Sequence, residues 1–113
     1  MFTSCANKGF QMQFKNDLCI SVQWGTSNYC DRRSFNAEFR SELKQDTVLS
    51  GTAEIAIWDT DSKWFDFGND QVKGYCTTDE VANWINLASK AENLNDLHSM
   101  ANDFGLLGVF NFE

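Results

Sequence analysis

Few residues of this chain have the types and spacing that catalysis requires. His98 is the single histidine of the chain. Its neighbour Ser99 is polar, so we predict that His98 is an ordinary surface residue. Cysteine-based hydrolysis needs a histidine held against a thiol in an electropositive setting, and no segment builds one. The glycine turn at 25–29 lacks the spacing and the lysine of a P-loop. Carboxylate pairs of the glycosidase type would arise by chance among sixteen acids, so their presence would not indicate catalysis. We therefore predict no enzymatic activity and no catalytic residues.

Patterns that bind metals are also missing from the sequence. The cysteines contain no C-x-x-C pair, which is the usual start of a zinc site. Asp59 and Asp61 open a run of acids that resembles a calcium loop, but an EF-hand needs an oxygen ligand fifth, glycine sixth and glutamate last. Lys63, Trp64 and Asp70 occupy those positions. We therefore predict no metal and no cofactor.

The cysteines are predicted to be free because a reducing compartment is expected. Residues 1–14 contain no apolar run long enough for a secretory signal, and no later stretch has the length of a membrane span. A cytosolic protein keeps its thiols reduced. The predicted free thiols are Cys5, Cys19, Cys30 and Cys76.

The charge balance limits the partners that the protein can have. Nine Lys and Arg against sixteen Asp and Glu give a net charge of -7. Such a surface repels nucleic acid and anionic membranes, so neither is expected as a direct partner. Solubility alone is one explanation of this charge. The more specific one is docking on a basic protein, such as one that holds nucleic acid, with the abundant aromatic residues supplying contact area.

A hairpin is predicted near the start of the chain. Apolar and polar residues alternate over 10–14 and again over 18–24, with the period of two that is typical of half-buried strands. A three-residue loop at 15–17 joins the two apolar faces, whereas a two-residue loop would set an apolar face against a polar one. Burial therefore selects the longer loop, with Asp17 in the left-handed conformation.

A second hairpin is predicted from the alternation over 52–58 and 64–67. Pairing Ile57 with Phe65 joins the apolar faces and places Trp58 opposite Trp64 on the face that is not core. Two interpretations of this tryptophan pair remain open: a helix or loop covers it, or it is an exposed anchor for a partner, since tryptophan is enriched in binding hot spots. The predicted partner-binding residues are Trp58, Trp64, Glu54, Asp59, Asp61 and Asp66.

The remaining elements complete an α+β fold in a single domain, residues 1–113. Residues 72–76 predict a fourth strand, Thr77 begins a capping box for a helix from Thr78, and a second helix follows a break near Asn93. We predict an antiparallel sheet of about four strands, formed by two hairpins and packed with two C-terminal helices. The apolar tail at 106–112 is expected to pack back on the domain or to bind a partner.

The polar linker at 25–51 suggests another function. Phe35, Phe39 and Leu43 stand at helical spacing, and Ser34 is placed to cap a helix of about three turns. The linker also carries arginines that are suited to phosphate contacts, namely Arg32, Arg33 and Arg40. The alternative function is therefore a small-molecule binder that sequesters a nucleotide signal.

One resemblance adds a biological context. Residues 7–14, 20–25, 28–30, 53–59 and the 74–75 step into the helix resemble small uncharacterised proteins encoded by tailed bacteriophages. The resemblance implies a protein made in the cytoplasm of a host bacterium, but it assigns no functional residues. It favours an inhibitor of a host defence or nucleic-acid-handling protein, and a minor structural phage protein remains the plainer alternative.

Overall fold

A five-stranded antiparallel sheet and two α-helices form the part of the chain that the computed structural model describes, residues 1–38 and 40–107. The strands are β1 (Phe2–Ser4), β2 (Gly9–Gln13), β3 (Cys19–Gln23), β4 (Ala53–Trp58) and β5 (Lys73–Cys76), and the helices are α1 (Thr78–Lys90) and α2 (Leu94–Asp103). The order across the sheet is the order in sequence, β1 to β5. The α+β prediction is confirmed, with five strands instead of about four. The additional strand, β1, is short and exposed, so no burial pattern marks it.

The first hairpin has the predicted register. Phe10 lies opposite Val22, and Phe14 N–H donates to the carbonyl of Leu18 at 2.9 Å. Asp17 has a φ of 69°, in the left-handed region that the three-residue loop requires. The apolar side chains of β2 and β3 therefore face the same side of the sheet, where the core forms.

The prediction of a second hairpin is only partly correct. Trp58 and Trp64 form an isolated antiparallel bridge, as the predicted register requires. The prediction that the chain after Trp64 continues as a strand is wrong, because β5 takes that place and pairs Lys73 with Ile55. Phe67 belongs to the predicted strand 64–67 and instead lies outside the sheet.

Aromatic packing explains this departure. Phe65 and Phe67 are 3% and 5% exposed, and each meets the indole ring of Trp84 on α1, with centroids 5.7 and 5.0 Å apart. Both rings are buried beneath the helix, and removing their apolar surface from water stabilises this arrangement. The predicted second strand is therefore a core segment.

A bulge in β5 shapes the edge of the sheet. Ala53 pairs with Cys76 and Ile55 with Lys73, so Gly74 and Tyr75 together lie opposite one residue of β4. A Cβ atom at Gly74 would lie 2.7 Å from the Cβ of Tyr29, so only glycine fits there. The bulge lets the 25–34 loop lie close to β5, where Tyr75 N–H donates to the Tyr29 carbonyl at 2.9 Å.

Both helices begin where their capping residues predict. The Thr77 side chain accepts from Glu80 N–H at 3.2 Å, and the Glu80 carboxylate accepts from Thr77 N–H at 2.8 Å, which completes the capping box of α1. Asn93 caps α2 by accepting from Asp96 N–H at 2.8 Å. The predicted capping box and the predicted start of a second helix near Asn93 are confirmed, and the cap by the Asn93 side chain is an additional finding.

The turn of the first hairpin caps the other end of α1. The Asn16 side-chain amide donates to the carbonyls of Ala88 and Ala91 at 2.7 and 2.6 Å. Its side-chain oxygen accepts from Leu18 N–H at 3.0 Å, which fixes the amide orientation. Asn16 therefore satisfies two carbonyls that a helix end leaves without partners.

The linker does not form the predicted three-turn helix. Its regular structure is a short 3₁₀ helix (Ser41–Lys44), preceded by Arg40 in the left-handed region with a φ of 54°. Phe35 is 86% exposed, and Phe39 lies outside the described residues. Glu42 is fully buried instead, and its Oε1 accepts from Thr26 N–H at 3.0 Å. Among the described members of the predicted apolar stripe, Phe35 and Leu43 are exposed, whereas the buried carboxylate of Glu42 holds this segment.

The apolar tail is described only at its start. Gly105 ends α2 with a φ of 74°, and Leu106 N–H donates to the Ala101 carbonyl at 2.9 Å. Leu107 is buried in the core at 6% exposure, so the chain packs back on the domain here. The remainder of the predicted tail, 108–112, lies outside the described residues.

Thiol labelling is expected to distinguish the folded chain from the denatured one. All four cysteines are free, and burial raises the pKa of the Cys76 thiol to about 11 despite the opposing charge of Lys73. Since the thiolate is the reactive form, we expect Cys76 to react slowly at pH 8 in the folded protein and faster as the pH approaches 11. In denaturant without reductant, mass spectrometry of the alkylated protein should show four modifications. Fewer than four would contradict the reducing compartment, and equal rates for Cys76 in both states would contradict its burial.

Candidate functional site

One face of the sheet has no helix over it in the described part of the chain. Both helices pack against the side that carries Ile20, Ile55 and Ile57, which are fully buried. We call the opposite side the outer face. Its central side chains are Gln11, Ser21, Gln23, Glu54, Ala56 and Trp58, which border a shallow cavity of about 160 Å³. Ser21 and Ala56 at its centre are buried, at 7% exposure each, and half-buried Trp58 and exposed Trp64 bring aromatic surface to solvent at one end.

The tryptophan pair stands at one end of the outer face. The Trp58 and Trp64 ring centroids lie 5.3 Å apart with an interplanar angle of 31°. Trp64 is 45% exposed and Trp58 is half-buried, so the pair is not part of the core. Each ring restricts the other, which holds a large apolar surface in a fixed orientation at the edge of solvent.

Glu54 has a structural contact that the sequence did not reveal. Its two carboxylate oxygens accept from the side-chain amide of Asn28 at 3.0 Å and from Tyr29 N–H at 3.1 Å. These bonds fasten the 25–34 loop over the far end of the outer face. Glu54 therefore shapes the face, and both of its carboxylate oxygens already accept a hydrogen bond within the protein.

The other predicted acids lie on the turn and segment that carry Trp64. Asp59 Oδ1 accepts from the N–H groups of Asp61 and Lys63, both at 2.9 Å, and so closes the turn after β4. Asp66 Oδ1 accepts from Gly68 N–H at 2.8 Å. Asp61 and Asp66 are exposed, and both lie within three residues of Trp64 in the chain.

The predicted phosphate-binding arginines have different surroundings. Arg32 donates from Nη1 to the Leu49 carbonyl at 3.3 Å, and Arg33 donates from Nη1 to the Ser27 carbonyl at 3.0 Å. Arg40 immediately precedes the 3₁₀ helix. Carbonyls of the protein thus accept from the first two guanidinium groups.

Arg33 is also stacked between two aromatic rings. Its guanidinium carbon lies 4.3 Å from the ring centroid of Tyr29 and 4.9 Å from that of Phe35. These are cation–π contacts, which hold the side chain in place. A nucleotide base would have to displace the guanidinium to use the covered ring faces, which makes the linker less suited to stacking a base.

The structure assembles a second cavity that sequence reasoning missed. It has a volume of about 470 Å³ and lies between the 59–66 segment and the start of α2. We call it the α2 cavity. Its polar lining residues are Asp59, Lys63, Asp66, Asn93, Asn95 and His98, and Trp64, Phe65 and Leu94 form its apolar part. His98, predicted to be an ordinary surface residue, is exposed, and its ring centroid lies 6.3 Å from that of Phe65.

Neither the described residues nor likeness to known proteins assigns a site to this chain. Within residues 1–38 and 40–107, no three His, Cys, Asp or Glu side chains are grouped so as to hold a metal ion. No helix in that part of the chain has the length and apolarity needed to cross a membrane. No protein-family model, curated protein or solved structure matches the chain. The arrangement of the outer face is therefore the basis for a functional proposal.

Proposed function

We propose that this chain is a non-enzymatic bacteriophage protein that binds and inhibits a basic host protein in the bacterial cytoplasm, one that acts in defence or handles nucleic acid. The observation that carries the proposal is the stacked, partly exposed tryptophan pair on the outer face. The phage context rests on the sequence resemblance alone.

The geometry of the pair suits a protein partner. Tryptophan is among the residues that contribute most to binding hot spots, because it brings a large apolar area and one hydrogen-bond donor. Contact between the Trp58 and Trp64 rings at 5.3 Å limits the side-chain freedom that binding would otherwise remove. A partner that covers the outer face therefore gains apolar contact at a small entropic cost.

Charge selects the kind of partner. The net charge is -7, and exposed Asp61 and Asp66 lie near Trp64 in the chain. Such an arrangement attracts a basic surface from a distance and orients it as it approaches. Proteins that hold nucleic acid have such surfaces, which connects the acidic character of this chain to the proposed class of target.

The direct test is affinity capture followed by an activity assay. Bacterial lysate is passed over the immobilised wild-type protein and over an immobilised Trp58→Ala, Trp64→Ala variant. We expect the wild type alone to retain a basic host protein. After this host protein is purified, we expect its activity to fall in proportion to the amount of wild-type protein added. The proposal fails if both columns retain the same proteins, or if the retained protein keeps its activity at saturation.

Charge reversal gives a second prediction, on association rate. Asp61→Lys with Asp66→Lys is expected to slow association with the captured partner by about tenfold at low salt, because electrostatic steering is reversed. The difference should largely disappear near 1 M salt, where the Debye length is about 3 Å. Surface plasmon resonance at several salt concentrations measures both effects.

The matched control is Asp46→Lys with Asp103→Lys. It makes the same change in net charge at exposed positions that line neither the outer face nor the α2 cavity. A smaller loss of rate in this control is expected. Equal slowing in the two variants would show that total charge matters and that the acids near Trp64 do not.

A further inference from the structure

The α2 cavity adjoins the outer face through a shared residue. Trp64 borders both the shallow cavity on the sheet and the 470 Å³ cavity beside α2. A partner that covers the tryptophan pair is therefore placed to insert a side chain between the 59–66 segment and α2. The class of that side chain is set by the groups that line the cavity.

Two carboxylates with free acceptor capacity line the α2 cavity. Asp59 and Asp66 each use Oδ1 to accept from backbone N–H groups, and no described residue donates to their second oxygens. The side-chain amide of Asn95 supplies a further neutral acceptor. Against these stands Lys63, which the turn places at the same cavity. The lining therefore carries two carboxylates against one lysine.

The start of α2 does not turn this cavity into an anion site. Asn93 accepts from Asp96 N–H at 2.8 Å, and the Asp96 carboxylate accepts from Glu92 N–H at 2.9 Å. The carboxylate of Asp96 in the first turn also offsets the positive end of the helix dipole. An anionic ligand would meet two carboxylates, Asp59 and Asp66, against a single lysine, Lys63. The other donors of the lining are the side chains of Asn93, Asn95 and His98.

We infer that the α2 cavity receives an arginine side chain of the basic partner, an assignment that rests on the proposed function. A planar guanidinium stacks on an aromatic ring and offers donors in several directions at once, which matches the indole of Trp64 with carboxylates on Asp59 and Asp66. A lysine ammonium is a compact point charge and lacks the flat face that this combination engages.

The test uses a probe that does not require the partner. N-acetyl-arginine amide is titrated into the ¹⁵N-labelled protein, and the Trp64 indole, Asn95 amide and His98 signals are followed by NMR. We expect these signals to shift with a dissociation constant of roughly 1 mM, as for one anchoring side chain. The uncharged isostere N-acetyl-citrulline amide and the lysine analogue should bind at least about fivefold more weakly.

Two variants test the charges separately. Asp66→Asn keeps the acceptor for Gly68 N–H and removes the charge, so the affinity for the arginine probe should fall by about threefold or more. Lys63→Ala removes the competing cation and should strengthen binding by about twofold. Asp70→Asn is the control, since Asp70 is exposed and does not line the cavity, and it should leave the affinity unchanged.

The result that would overturn the assignment differs from the one that would overturn the proposed function. Equal binding of the arginine and citrulline probes, tighter binding of the lysine analogue, shifts induced instead by inorganic phosphate, or no shift at all would each reject an arginine cavity. If the probe fails while the tryptophan variant still loses partner capture, the outer face remains the docking surface and only the cavity assignment is lost.

Discussion

Removing both rings of the tryptophan pair is expected to leave the protein folded and to weaken partner binding by about 2 kcal/mol or more, the usual threshold for a hot spot. The variant is Trp58→Ala with Trp64→Ala. Trp64 is 45% exposed and Trp58 half-buried, so the substitutions remove contact area mainly from the surface. Isothermal titration with the captured partner measures the loss of affinity, and circular dichroism with thermal unfolding measures the fold.

The matched control removes two other exposed aromatic rings. Phe2→Ala with Phe104→Ala acts at β1 and at the end of α2, where the side chains are 77% and 69% exposed. We expect partner affinity to be unchanged in this control. If the tryptophan variant unfolds, or if it binds as tightly as the wild type, the outer face is not the binding surface.

Replacement of Trp84 with alanine is expected to lower the free energy of unfolding by about 3–5 kcal/mol, the usual loss for a buried aromatic residue. Trp84 is 1% exposed and packs against the rings of Phe65 and Phe67. Its loss leaves a cavity beneath α1 and loosens the segment that positions Trp64. Urea unfolding followed by circular dichroism gives the free energy.

Two further variants keep this result interpretable. Trp64→Ala removes the same side chain from a position that is 45% exposed, and should cost about 1 kcal/mol, mainly from the lost ring contact with Trp58. Trp84→Phe retains part of the packing and provides a measurable protein if the alanine variant does not fold. Similar losses for Trp84→Ala and Trp64→Ala would contradict the position of Trp84 in the core.

Features fixed by local rules were predictable from the sequence. The register of the first hairpin followed from matching apolar faces, because a slip of one residue would turn every side chain of a strand to the other face. Thr77 marked a helix start because its side chain bonds to an N–H group only three residues away. The bridge between Trp58 and Trp64 followed from the same matching of faces.

Features decided by distant packing were not predictable. Phe65 and Phe67 alternate as a strand does, but the position of Trp84 draws both rings into the core and leaves the sheet edge to β5. Phe35 and Leu43 have helical spacing, but both side chains are exposed, and the Phe35 ring lies against the guanidinium of Arg33. Helical periodicity is informative only when the tertiary structure offers the face a place to pack.

The candidate site also has one part that local rules predict and other parts that depend on distant packing. The tryptophan pair lies within one turn of the chain, so its register could be derived. The hydrogen bond between Glu54 and Tyr29 N–H joins residues that are 25 positions apart. The α2 cavity combines residues of the 59–66 segment with residues of 93–98. No local pattern predicts either arrangement, because in both cases the residues are distant in sequence and meet only in the folded domain.

The bonds of Asn16 bear on how the protein folds as it leaves the ribosome. The amide in the first turn joins carbonyls of α1 that lie 72 and 75 residues further along the chain. The apolar side of β2 and β3, including Ile20 and Val22, is therefore made long before the helix that covers it. The nascent chain must carry an unprotected apolar hairpin until residues beyond 91 have emerged, a period in which chaperones or premature aggregation compete with folding.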